Sequence, residues 1–145
     1  EEAVVDLLER VEPDDATDIV GALAEPLRAK VIEGLEDDPT GEEVKNLLLW
    51  PPESAGGIMS SQVLKMPVGS TCGQAIAEVQ ATHEQFEAIY YVYVVDENER
   101  LVGVTSLRDL LTHAPRTHLE KVMAREPIAV APTTDQEEVA RIVAR

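Results

Sequence analysis

Residues 50–60, WPPESAGGIMS, hold two prolines and two glycines, and neither a regular helix nor a regular strand continues through such a stretch. The hydrophobic period changes across it. Before it, apolar residues recur at helical spacing; after it, short apolar runs are separated by turn signals. The sequence therefore predicts a helical segment joined to a mixed α/β part.

In the first part, Val4, Leu7, Leu8 and Val11 share one helical face. Pro13 suits a first helical position, with Asp14 and Asp15 at the electropositive end of a helix burying Ala16, Ile19, Val20 and Leu23. Pro26 opens a third helix with Leu27, Val31, Ile32 and Leu35 on its apolar side. Thr40 and Glu43 match a capping box ahead of Val44, Leu47, Leu48 and Trp50.

In the second part, residues 63–68 read as a short strand. Ser70 or Thr71 caps a helix carrying Ala75, Ile76 and Val79. Residues 89–95, IYYVYVV, are continuously apolar and are predicted to form a strand buried on both faces. Glu97, Asn98 and Glu99 turn the chain into a second strand over 101–105, and a helix follows to Leu111. The order is β-α-β-β-α. The pattern then restarts: residues 58–79 align with 122–143, pairing Met59 with Met123, Thr71 with Thr134, Ile76 with Val139 and Val79 with Ile142. The second copy reaches only its first helix, so the chain is expected to be a piece of a longer protein.

Charge narrows the function. With 28 acidic residues against 12 basic ones, the chain lacks the clustered lysine and arginine that a phosphate backbone requires. It suits cations or a basic surface, although solubility alone also accounts for such acidity. One cysteine, Cys72, excludes an internal disulfide framework and a thiolate metal cage. The apolar run over 89–95 is far shorter than the ~20 residues a bilayer-crossing helix needs. An opening Glu1-Glu2 predicts no signal peptide.

The helical start, the β-α-β-β-α unit and the signature Gly103-Val104-Thr105-Ser106-x-x-Asp109 resemble tandem CBS domains. More narrowly, PPESAGGIMS, IYYVYVVDENERLVGVTSLRDLL and TTDQEEVA resemble the cytosolic region of the MgtE family of magnesium transporters and channels. The resemblance covers nearly the whole chain. It implies an α+β or α/β architecture: residues 1–53 as the end of an acidic helical N domain, 54–115 as a first CBS domain, and 116–145 as the truncated start of a second. It also implies a homodimer beneath a transmembrane pore domain that is absent from this chain, in the cytoplasmic portion of an inner- or plasma-membrane protein. Mg2+ bound between subdomains would close that pore when the ion is plentiful.

Asp14 and Asp18 are four residues apart and hence neighbours on one helix face, where like charges cost a few tenths of a kcal/mol that a bridging cation would relieve. The resemblance implies that both bind Mg2+; the alternative is that Asp14, with Asp15, merely favours the helix N-terminus. Asp135 and Glu137 open the last helix. The resemblance implies that they are Mg2+ ligands and that Ala144 offers a main-chain carbonyl, whereas Thr134 and Glu137 also match a capping box. Mg2+ needs only one or two carboxylates because it keeps several of its waters.

The resemblance further implies a nucleotide site. Asp109 would bind a ribose hydroxyl, Thr105 would lie near phosphate, Arg108 would reach phosphates, and Tyr91 would contact base or sugar, making ATP a second ligand. Against this stand a plain cap formed by Ser106-x-x-Asp109 and a core position for Tyr91. The two functional readings are a Mg2+-sensing regulatory region and an adenine-nucleotide-sensing CBS module without specific metal sites. An enzyme is not expected, since no base stands near Ser106 in sequence and no nucleophile elbow or phosphate loop occurs. His83, His113 and His118 lack the spacing of a zinc site.

Overall fold

A computed structural model describes residues 2–8, 10–35, 39–86 and 88–144. The chain forms two compact units, one joining Glu1–Gln62 with Val130–Arg145, the other comprising Val63–Ala129.

The first unit contains helices α1 (Glu2–Leu8), α2 (Pro13–Ala22), α3 (Glu25–Gly34), α4 (Pro39–Leu47) and α7 (Gln136–Val143). Leu8, Ala16, Val20, Val31, Leu35 and Val44 form its buried centre. Pro13 opens α2 as its sequence position predicts, and the Thr17 hydroxyl donates to the Pro13 carbonyl at 2.6 Å. The far end of α2 is closed by Arg28. Its Nε donates to the carbonyl of Val20 at 3.2 Å, and its Nη2 to those of Gly21 at 2.7 Å and Leu23 at 3.0 Å. A helix C-terminus leaves its last carbonyls short of intrahelical partners; that of Val20 also accepts from Leu23 N–H at 3.1 Å, and a guanidinium suits the negative end of the dipole.

Several expectations shift here. Leu7 and Ile19 are 52% and 36% exposed, so the buried stripes of α1 and α2 are narrower than their apolar patterns. Helix α4 begins at Pro39, which leaves Thr40 inside the helix rather than at its cap, and it ends at Leu47, short of Trp50. Proline at a first helical position loses no hydrogen bond, which displaces the start from Thr40. Beyond α4, residues 53–56 run beside 132–136. Ala55 N–H donates to Thr134 O at 2.7 Å, Gly56 N–H to Pro132 O at 2.8 Å, and Gln136 N–H to Glu53 O at 2.9 Å.

The second unit is a four-stranded sheet in the order β1 (Lys65–Pro67), β2 (Tyr91–Val95), β3 (Leu101–Ser106), β4 (Ala124–Arg125). β1 runs parallel to β2, and the other pairs are antiparallel. Helices α5 (Cys72–Thr82) and α6 (Leu107–Thr112) complete the unit, with Leu64, Met66, Cys72, Ala75, Val92, Val94, Leu110 and Leu119 buried together. Thr71 caps α5 in a full capping box with Gln74.

Strand β2 is not buried on both faces. Val92 and Val94 are enclosed, while Tyr91 is 54% exposed and Tyr93 half-buried. The reason is that α5 and α6 contribute to one side only, so residues of one parity are covered. β4 is an addition that the sequence pattern did not foretell. The β2–β3 turn is built on Asp96, whose Oδ1 accepts from Asn98 N–H at 2.8 Å and Arg100 N–H at 3.0 Å. The Arg100 amide, then that of Asn98, hold this carboxyl below the usual carboxylate range. Cys72 is enclosed, and burial pushes its thiol up against a smaller opposing effect of a backbone hydrogen bond.

Candidate metal and nucleotide sites

Asp14 and Asp18 both lie on α2, one turn apart. Asp14 is half-buried, and its Oδ1 is enclosed without a hydrogen-bond partner among the described residues. An anionic oxygen in that state carries an uncompensated desolvation cost, which a cation or a water would relieve. Asp18 is exposed, as is Asp15.

Asp135 is the N-cap of α7, its Oδ1 accepting from Glu137 N–H at 2.8 Å. The cap is therefore Asp135 and not Thr134. An aspartate one residue nearer the helix satisfies the first free amide and brings a full negative charge to the positive end of the dipole. Glu137 is exposed and pairs along the helix with Arg141 at 3.5 Å. Ala144 is the exposed C-cap residue of α7. Among the described residues, no three aspartate, glutamate, histidine or cysteine side chains come together in a group able to hold a metal ion. Asp14 with Asp18 thus remains a two-carboxylate arrangement, which is enough for Mg2+ only if water fills the other positions.

The nucleotide candidates meet at one end of the sheet. The β2–β3 register sets Tyr91 opposite Ser106 and Val92 opposite Thr105, and Leu107 N–H donates to Tyr90 O at 2.9 Å. Paired residues of antiparallel strands share a face, so Tyr91 and Ser106 stand on the open side while Thr105 stands on the helix-covered side. Tyr91 is consequently no core residue. Thr105 is 2% exposed, and its Oγ1 has no hydrogen-bond partner among the described residues. Ser106 caps α6, its Oγ accepting from Asp109 N–H at 3.1 Å and donating to Asp109 Oδ2 at 2.5 Å. The cap reading of Ser106-x-x-Asp109 is therefore correct as local structure, and it leaves the other carboxylate oxygen of Asp109 for a ligand. Arg108 is exposed.

Sequence reasoning missed the rest of the open face. Tyr91, Tyr93, Leu101, Val104, Ala124 and Ile128 line a hollow of about 460 Å3 there. The signal was present as the alternate tyrosines of the apolar run, but a reading of that run as doubly buried concealed it. No helix among the described residues is long and apolar enough to cross a membrane.

A CBS domain model matches residues 55–116. The cytosolic domain of the Mg2+ channel MgtE, crystallised in complex with ATP, is 35% identical and superposes with a TM-score of 0.92 over 97% of this chain and 58% of its own. The chain belongs to the MgtE family, within its cytosolic region. The MgtE magnesium transporter of Thermus thermophilus is 37% identical over 133 residues, which is 90% of this chain and 30% of that protein. The MgtE transporter of Enterococcus faecalis is 37% identical over 101 residues, covering 70% of this chain and 22% of its own length. The chain thus spans less than a third of the MgtE transporters it matches. These relatives are transporters rather than enzymes, and the mixed helical and CBS architecture is that of MgtE cytosolic domains.

Proposed function

We propose that the chain is the Mg2+-sensing regulatory region of an MgtE-like magnesium transporter or channel. In this reading it works as a homodimer on the cytoplasmic side of a pore domain carried elsewhere in the full-length protein. The observation that carries the reading is the Asp14–Asp18 pair on one face of α2, with one Asp14 oxygen enclosed and unpartnered among the described residues, in a chain of net charge −16. Mg2+ joins these carboxylates to a water shell; Asp135 and Glu137 offer oxygens for a second position at the start of α7, and the Ala144 carbonyl offers one at the opposite end of that helix. Without metal the acidic surfaces repel. With metal a closed arrangement is favoured, to the extent that it binds the ion more tightly than the open one does.

Titration with Mg2+ at constant ionic strength, followed by amide NMR against an NaCl reference, tests this. Saturable shifts are expected at residues 14–18 and around Glu137, and Asp18→Asn should weaken the first group about tenfold, as loss of a charged ligand worth 1–2 kcal/mol requires. Unsaturable shifts spread over all acidic residues would mean a diffuse ion atmosphere and no sensor.

A second ligand, ATP, is favoured by Tyr91 on the open side of the sheet next to Ser106, by the exposed Arg108, and by the Asp109 carboxylate oxygen that the helix cap leaves unused. A relative 35% identical was crystallised with ATP. ATP should shift the amides of residues 91 and 105–109, and Asp109→Ala should reduce that affinity about tenfold or more. If Asp109→Ala binds ATP as tightly as the parent chain, Asp109 is a helix cap and nothing more.

A further inference from the structure

The helical unit holds a cavity that the metal reading touches only at Asp18 and the nucleotide reading not at all. It measures about 460 Å3 and lies between α2 and the end of α4, with Asp18, Ala22, Arg28, Leu47, Leu48 and Trp50 in its wall. That is within the usual range of pockets for small ligands, roughly 300–1,000 Å3. Gly21 also lines it and keeps it open: a Cβ there would meet nothing nearer than Leu48 Cδ2 at 4.0 Å.

The polar groups of the wall are unequal. Arg28 is already engaged through the carbonyls of Val20, Gly21 and Leu23, and its Nη1 pairs with Glu25 at 2.9 Å. Its charge is thereby answered, and the cavity is no anion site. Asp18 has neither a hydrogen bond nor an ion pair among the described residues. The cavity thus presents one free carboxylate beside an indole and two leucines. A hydrated metal ion gains nothing from such a wall, since it wants oxygen ligands. An ammonium group on a hydrocarbon stem gains from every part of it: charge pairing at Asp18, cation–π attraction at Trp50, and apolar contact along the methylenes.

We propose that this cavity binds primary alkylammonium ions, the class that includes small diamines and polyamines, with the ammonium at Asp18 and the stem against Trp50 and Leu48. The site goes beyond the Mg2+ reading and does not depend on it, although the two share Asp18. An amine held there competes for a carboxylate of α2, so it lowers the affinity of that helix for Mg2+, and by linkage Mg2+ lowers the affinity for the amine by the same factor.

Trp50 is the protein's single tryptophan, so its emission reports this cavity without labelling. The probe is n-butylammonium chloride, with NaCl at equal ionic strength and uncharged n-butanol as references. A saturable change in Trp50 emission is expected with n-butylammonium, absent with NaCl and about tenfold weaker with n-butanol. Asp18→Asn should bring n-butylammonium down to the level of n-butanol, and Gly21→Leu, which fills the cavity while keeping the carboxylate, should abolish both responses. Equal responses to amine and alcohol, or an undiminished amine response in either variant, would overturn the proposal. These outcomes are independent of whether Mg2+ shifts the amides around Asp14 and Glu137, so each reading fails on its own measurement.

Discussion

Leu110→Ala should cost the CBS unit about 3 kcal/mol of stability, within the 2–5 kcal/mol typical of a buried leucine reduced to alanine. Leu110 is fully enclosed and belongs to the same buried cluster as Val92, Val94 and Ala75. Aromatic residues make up only 3% of the chain, and the cluster around Leu110 is mostly aliphatic, so the deletion leaves a cavity in it. All three tyrosines, at positions 90, 91 and 93, lie in the CBS unit, and the tryptophan lies in the helical one. Urea unfolding followed by tyrosine signals should therefore shift to lower denaturant in the variant. A loss below about 1 kcal/mol would mean that the site collapses around the deletion or was never well packed.

The helical unit has an equally exacting position in Gly57. Gly57→Ala is expected to lose about 3 kcal/mol, at the upper end of ordinary overpacking. A Cβ at that position would overlap the Pro51 carbonyl oxygen and come within 2.8 Å of Pro52 Cα. Both obstacles are backbone, and prolines cannot rotate out of the way. Gly57 does not adopt a positive φ, so the requirement is for space and not for left-handed freedom. Trp50 emission during urea unfolding measures the effect. A variant within about 0.5 kcal/mol of the parent would contradict the close approach at this joint.

Much of the secondary structure is legible in the sequence because it is encoded locally. Pro13 marks the start of α2, the Thr71–Gln74 pair caps α5, and Ser106 with Asp109 caps α6; each acts within one turn of its own helix. What depends on distant residues is less legible. Ile19 has the helical spacing of a core residue and is partly exposed, because only the packing of neighbouring helices decides how wide the buried stripe becomes. The two-residue strand β4 is too short to show alternation, and its existence follows from pairing with Gly103 and Val104. Likewise, the covering of β2 on one side only could not be read from a continuous apolar run.

The candidate sites divide in the same way. Asp14 and Asp18 are correctly placed on one helix face by spacing alone, and Tyr91 and Ser106 become neighbours once the β2–β3 turn is recognised. The opposite facing of Tyr91 and Thr105 needs the register of two strands, and the cavity beside Asp18 needs the meeting of α2 with residues from α4 and the joint. No local pattern contains that information.

The pairing of residues 53–56 with 132–136 has a bearing on the order of folding. The CBS unit is inserted within the helical one, so those hydrogen bonds close a loop of about 75 residues. Closing it while the insert is still unfolded costs about 4 kcal/mol of chain entropy, more than a few backbone hydrogen bonds return. The insert, by contrast, contains all the strands of its own sheet and both of the helices that cover it. Its collapse replaces a flexible loop with a fixed link before the ends must meet. Folding should therefore proceed from the middle of the sequence outward, with α7 docking last.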